Sequence, residues 1–174
     1  MPLTSNTKPF GLRQVTLVPL PSGTAVALSA AQTLSFKEAL TSGELRGNDA
    51  TQAIAAIVDK VEWSLEAGGI SFDAIKVLTG RTIAGTGTTP NQKNTILARA
   101  GDTYPYFKIY GKVVNDDGSD IHVLIYKAKL TDGLEGEWKD GEFFIQSASG
   151  IAIDDGTKLY EFVHNETAAA VPAS

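Results

Sequence analysis

The stretch "VEWSLEAGGISFDAIKVLTG" (Val61–Gly80) decides how this chain is read. Its first seven residues alternate strictly. Val61, Trp63, Leu65 and Ala67 fall on one side of an extended strand, and Glu62, Ser64 and Glu66 on the other, because side chains in a strand have a period of two. Gly68 and Gly69 interrupt the pattern. Ser71 then reads as a helix N-cap, Asp73 suits the positive end of the helix dipole, and Gly80 suits the C′ position. Phe72, Ile75 and Leu78 are the expected core stripe of that helix. Only about eight residues long, it must lean on a sheet. Trp63, Leu65, Phe72, Ile75 and Leu78 are the expected core anchors, and the opposite face presents a row of carboxylates.

Upstream, Ala53–Lys60 is ambiguous. Ile54, Ile57, Val58 and Val61 recur at helical spacing, yet the segment runs directly into a strand pattern. Before it lies "TSGELRGNDATQ" (Thr41–Gln52), polar except for Leu45 and Ala50, which reads as a long loop with a functional role. Gln14–Leu20 reads as a first strand bounded by Pro19 and Pro21, and Thr24–Ala39 contains at least one more. Residues 1–10 form a polar N-terminal arm with no secretory signal pattern.

Downstream, "GTGTTPNQKN" (Gly85–Asn94) reads as a second polar loop. Strands are expected at Thr95–Ala100, Tyr104–Val114, Ile121–Leu130, Glu142–Ile153 and Thr157–Val163. The pairs Asp117-Gly118, Asp132-Gly133, Asp140-Gly141 and Asp155-Gly156 read as the turns around them. Residues 165–174 are expected to be a flexible tail. The predicted architecture is one mainly β domain over residues 1–174, a β-sandwich or partly closed barrel with one short flanking helix.

With 174 residues, no cysteine and a formal net charge of −5, the chain cannot form disulfides or thiolate metal sites, and it lacks the basic balance that grips nucleic acid. Residues 1–87 hold seven acids and seven bases, whereas residues 88–174 hold thirteen acids and eight bases, so the whole excess lies in the second half. No stretch approaches the ~20 apolar residues that cross a bilayer, so no membrane partner is expected.

Motifs for chemistry are missing from the sequence. "GTGTTP" has Pro90 where a dinucleotide loop needs glycine, and no Gly-Lys-Ser/Thr follows. "NDDGSD" (Asn115–Asp120) has the oxygens of a calcium loop without the EF-hand spacing. His122 and His164 lie far apart in expected strands, where surface or edge positions suit them, and no nucleophile elbow accompanies them. Glu62 and Glu66 would stand about 13–14 Å apart along a strand, beyond the about 5–10 Å of paired glycosidase carboxylates. No enzyme activity and no cofactor are expected. Trp138, in the acidic run "LEGEWKDGE", leaves open a carbohydrate-binding module.

The run "SGELRGNDATQAIAAIVDKVEWSLEAGGISFDAIKVLTG" (Ser42–Gly80) resembles a block in the major tail tube proteins of long, non-contractile-tailed bacteriophages. The matching residues are Gly43–Gly47 with Asp49, Ser64–Ile70, and Ser71–Thr79. The resemblance implies a β-sandwich related to the tube protein of type VI secretion, which is also the alternative reading. It implies homohexameric rings stacked head-to-tail into a virion tail tube assembled in the host cytoplasm. It further implies tape-measure, tail-terminator and tail-tip partners and a lumen through which DNA passes without specific binding. In that scheme residues 41–52, with Glu44, Leu45, Arg46, Asn48 and Asp49, reach the neighbouring ring, and Glu62, Ser64 and Glu66 face the lumen. A ring of six chains at −5 each would carry about −30, keeping a polyanion centred rather than held. Lys108 and Lys112 in one expected strand, and Lys127 and Lys129 in its partner, would make that wall mixed in sign if they share its face.

Overall fold

A computed structural model describes residues 7–28 and 30–172. In chain order the elements are β1 (Gln14–Pro19), β2 (Val26–Leu28), β3 (Ala31–Gly47), β4 (Ala50–Gly68), α1 (Phe72–Thr79), β5 (Ile83–Thr86), β6 (Lys93–Ile96), β7 (Tyr106–Val114), β8 (Asp120–Glu137), β9 (Ile145–Ala152) and β10 (Tyr160–Asn165). Antiparallel pairing runs β2-β1-β7-β8-β9-β4-β3, with β10 also on β8, while β5 and β6 form a separate hairpin. The 18-residue β8 organises the molecule. Its first part has β7 on one edge and β10 on the other, and its later part pairs with β9.

The sheet curls over its main core without closing into a barrel. Val15 and Leu17 from β1, Val61, Trp63 and Leu65 from β4, Phe107 and Ile109 from β7, and Ile125, Ala128 and Leu130 from β8 fill it. Phe36 of β3 reaches Tyr160 and Phe162 of β10, with ring centroids 5.6 and 5.4 Å away. Tyr160 also donates its hydroxyl to Glu38. Side chains therefore bridge the gap that backbone pairing leaves open. Trp63 lies edge-on to Phe107 at 5.5 Å and opposite Gly150 in the β4–β9 register. A Cβ at Gly150 would stand 2.1 Å from the Lys129 carbonyl and 2.9 Å from the indole, so this position has no room for one.

α1 covers one end of the core. Ser71 Oγ accepts from Ala74 N at 3.2 Å, and Gly80 ends the helix in the left-handed conformation (φ 72°) that glycine adopts without strain. The buried stripe is Ala74, Val77 and Leu78, not Phe72, Ile75 and Leu78. Phe72 is exposed and Ile75 half-buried. At 3.6 residues per turn, Phe72 lies about 200° from Ala74, and the smaller Ala74 lets the helix axis approach the sheet.

Three further expectations need correction. Thr41–Gln52 is not a loop, and Ala53–Lys60, which the sequence leaves open between helix and strand, is strand. Both belong to one long hairpin of β3 (17 residues) and β4 (19 residues). Its two-residue turn is Asn48–Asp49, with φ of 52° and 61°, the left-handed pair of a type I′ turn. β4 meets β9 only from Val61 onward, so residues 39–60 project as a two-stranded arm. Asp132–Gly133 is not a turn but lies inside β8, where the β9 register shifts between Leu130 and Leu134. Residues 165–172 of the expected flexible tail are docked rather than loose, and residues 173–174 lie outside the described residues. Ala168 N donates to Gly118 O, Ala169 N donates to Asp120, and Val171 packs with Val18, Tyr110 and Leu124. Of the N-terminal arm, residues 1–6 lie outside the described residues.

Candidate functional site: a polar strip on four strands

The face of β3, β4, β9 and β8 turned away from the core forms a continuous polar strip. The registers set its rows. Lys37, Glu62, Ile151, Lys129 and Tyr106 of β7 make one row. Ser35, Ser64 and Ser149 make the next, and Thr33, Glu66, Ser147 and Glu135 the third. Ile145 and Glu137 follow. Glu62, Ser64 and Glu66 thus share this face. Glu62 and Glu66 are exposed, Ser64 is half-buried, and Trp63 and Leu65 beneath them are 2% and 3% exposed.

Hydrogen bonds order the middle row. Ser35 and Ser64 share one across strands at 2.6 Å, and Ser149 Oγ donates to Asp132 Oδ2 at 3.0 Å. The register shift in β8 is what brings Asp132 over the strip. Toward the end near α1, Glu66, Glu135, Glu137 and Glu142, with the single cation Lys139 paired to Glu137, surround a shallow groove of about 390 Å³. Toward the arm end, Lys127 and Lys129 both approach Tyr106, with Nζ atoms 5.2 and 5.0 Å from the ring centroid. The strip is therefore graded, mixed in sign at the arm end and acidic at the other. A uniformly acidic wall is not what the registers produce. Lys112 leaves this face altogether and pairs with Asp120 at 3.1 Å.

The arm carries the expected inter-ring residues. Glu44, Leu45, Arg46, Asn48 and Asp49 occupy its outer half. Leu40, Leu45, Ile54, Ile57 and Val58 are exposed along it. Outside the strip, Asp120 is fully buried and accepts from Asn165 Nδ2 (2.7 Å), Ala169 N (2.7 Å), Lys112 and His122 Nε2 (3.0 Å). Burial alone would raise its pKa. The donors outweigh burial and hold the carboxyl down at about 2. His122 is accordingly an interior residue of this ionic knot rather than a surface histidine. It pins the C-terminal segment to β7 and β8. Trp138 is exposed and stacked on Phe144 at 4.4 Å.

Lys37, Tyr106, Lys127, Lys129, Asp132, Glu135 and Glu137 are the strip residues that sequence reasoning did not place. The alternation Ile145, Ser147, Ser149, Ile151 carried a signal for β9. Membership of one face follows only from register.

No family model matches the chain, and no curated protein matches it. Among solved structures, the chain is similar to one in "Cryo-EM structure of the anti-feeding prophage (AFP) baseplate, 6-fold symmetrised". The match has 10% sequence identity and a TM-score of 0.51, and covers 92% of this chain and 97% of that one. The likeness is one of fold.

Proposed function

We propose that the chain is a structural subunit of a phage tail tube or a related phage-like injection apparatus, that six copies form a ring, and that rings stack into a hollow conduit for the viral genome. The polar strip lines the conduit. The observation that carries this reading is the strip's pair of open edges. The outer edge of β3 is unpaired among the described residues, and β8 beyond Leu130 is paired only on its β9 side. Joining one edge to the other between neighbours turns an open four-stranded strip into a closed barrel, which removes edges that otherwise invite uncontrolled pairing. The resemblance of Ser42–Gly80 to tail tube proteins and the fold shared with a phage-like baseplate chain both favour it.

The arm of residues 39–60 docks on the adjacent ring. Its apolar side chains have no cover within the subunit, and a contact between unlike faces propagates without closing. The chain works by assembly rather than catalysis, needs no cofactor, and joins the other tail proteins in the virion. Type VI-like tubes share this geometry and differ in cargo. Electron microscopy of the concentrated protein is the test. Rings about one subunit thick and stacked tubes are expected. A chain that remains monomeric at high concentration, including with tail-tip components supplied as initiators, contradicts the proposal.

A further inference from the structure

We propose that Tyr106, Lys127 and Lys129 form an anion-binding station on the polar strip, and that its ligand is a phosphate oxyanion. The inference deepens the conduit reading and rests on it only for whose phosphate is bound, free or in a nucleic-acid backbone.

The two lysines are placed unusually. Both ammonium groups lie within 5.2 Å of the centroid of one aromatic ring, so two like charges are gathered around it. Neither makes an ion pair among the described residues. Lys112, Lys139 and Lys158, by contrast, each sit on a carboxylate. The ring quadrupole attracts each cation but does not neutralise either. The nearest carboxylate in the row is Glu62, separated from Lys129 by the β9 strand at Ile151, which is about 9–10 Å between backbones. Lys108 follows Tyr106 by two residues, and its charge helps hold the Asp155 carboxyl below its ordinary range.

The arrangement is built by the backbone. β7 from Phe107 to Ile109 faces β8 from Ala128 to Ile125, so β8 carries one extra residue. Lys127 and Lys129, two residues apart, share one face by ordinary alternation, and the bulge falls just beyond them, toward Ile125. The phenol itself is available. Tyr126 and Tyr160 give their hydroxyls to Glu161 and Glu38, whereas the Tyr106 hydroxyl has no hydrogen-bond partner among the described residues, and the side chain is 36% exposed. Two ammonium groups and one unpartnered phenol thus surround a single ring on the strip. A tetrahedral oxyanion with several charged oxygens satisfies all three at once, and lysine binds phosphate as a point charge. A carboxylate offers only two oxygens in one plane. Exposed on the strip, the station is screened by salt and holds its ligand weakly. In a conduit it would touch a passing backbone without trapping it.

The test uses the unassembled, isotope-labelled full chain at low salt, titrated separately with inorganic phosphate, a short oligothymidylate and an oligoglutamate peptide. Saturable amide shifts at Tyr106 and Lys127–Lys129 are expected with phosphate and with oligothymidylate. Lys127→Gln/Lys129→Gln should weaken both about tenfold, Tyr106→Phe less, and Lys76→Gln on the helix not at all. The salt dependence of oligothymidylate binding should fall by a slope of about one in the double variant. Shifts with phosphate but not oligothymidylate assign the station to the free ion. Equal binding by the double variant, or tighter binding of the peptide, overturns the proposal. Tube formation is read separately by microscopy. A chain that binds phosphate but never assembles refutes the conduit and keeps the station, and the reverse result does the opposite.

Discussion

One hairpin contains two regimes. From Val61 to Gly68, β4 has β3 on one edge, β9 on the other and a core beneath it. Val61, Trp63 and Leu65 are at most 3% exposed. From Leu40 to Val58 the same two strands pair only with each other, and Leu40, Leu45, Ile54, Ile57 and Val58 are 45–69% exposed. Strict alternation stops where the core stops. Periodicity therefore records what a strand packs against, not that it is a strand. An isolated two-stranded ribbon is marginal in water, so an arm with this many bare apolar side chains implies an external surface to cover them.

The contrast predicts a graded set of effects. Trp63→Ala removes a buried indole and should destabilise the subunit by about 3–5 kcal/mol in denaturant unfolding. Asp120→Asn should cost about 3 kcal/mol, because it leaves Lys112 without its buried counter-charge. This variant should also flatten the acid limb of the stability curve. The folded Asp120 carboxyl, at about 2, lies below its unfolded value, so its stabilisation is complete above about pH 4 and lost as pH falls toward 2. Gly150→Ala should cost about 1–3 kcal/mol, since a methyl has no space between the Lys129 carbonyl and Trp63. Ile57→Ser, on the arm, should change subunit stability by less than about 0.5 kcal/mol while sharply reducing stacking in sedimentation. Equal unfolding costs for Trp63→Ala and Ile57→Ser would erase the distinction between the two regimes.

Much of the body was legible in the sequence for physical reasons. Val61–Ala67 alternates because one side is buried, and Ser71 and Gly80 bound α1 because capping chemistry is local. The arm was not legible, since its strands have no core to alternate against and Asn48–Asp49 lacks the glycine that usually marks a type I′ turn. Phe72 was misplaced because an eight-residue helix admits two apolar stripes that share Leu78. The carboxylates of the strip were legible in β4, but its lysines were not. Lys127 and Lys129 share a face by alternation, but that face joins Glu62 only through a register set by two neighbouring strands. Asp132–Gly133 resembles a hairpin turn in sequence and is a bulge in β8, because local turn chemistry does not reveal whether pairing continues on both sides.

The claim on which the account rests is that the polar strip becomes an interior wall on assembly. The chain has no cysteine, so Ser64→Cys introduces a single thiol in the middle of the strip. Its reaction with a maleimide carried on a particle too bulky to enter a tube, compared between free subunits and assembled tubes, measures the claim directly. Rapid labelling of the free subunit and near-complete protection in the tube is the predicted result. Equal labelling in both states would place the strip on the outside and contradict the account.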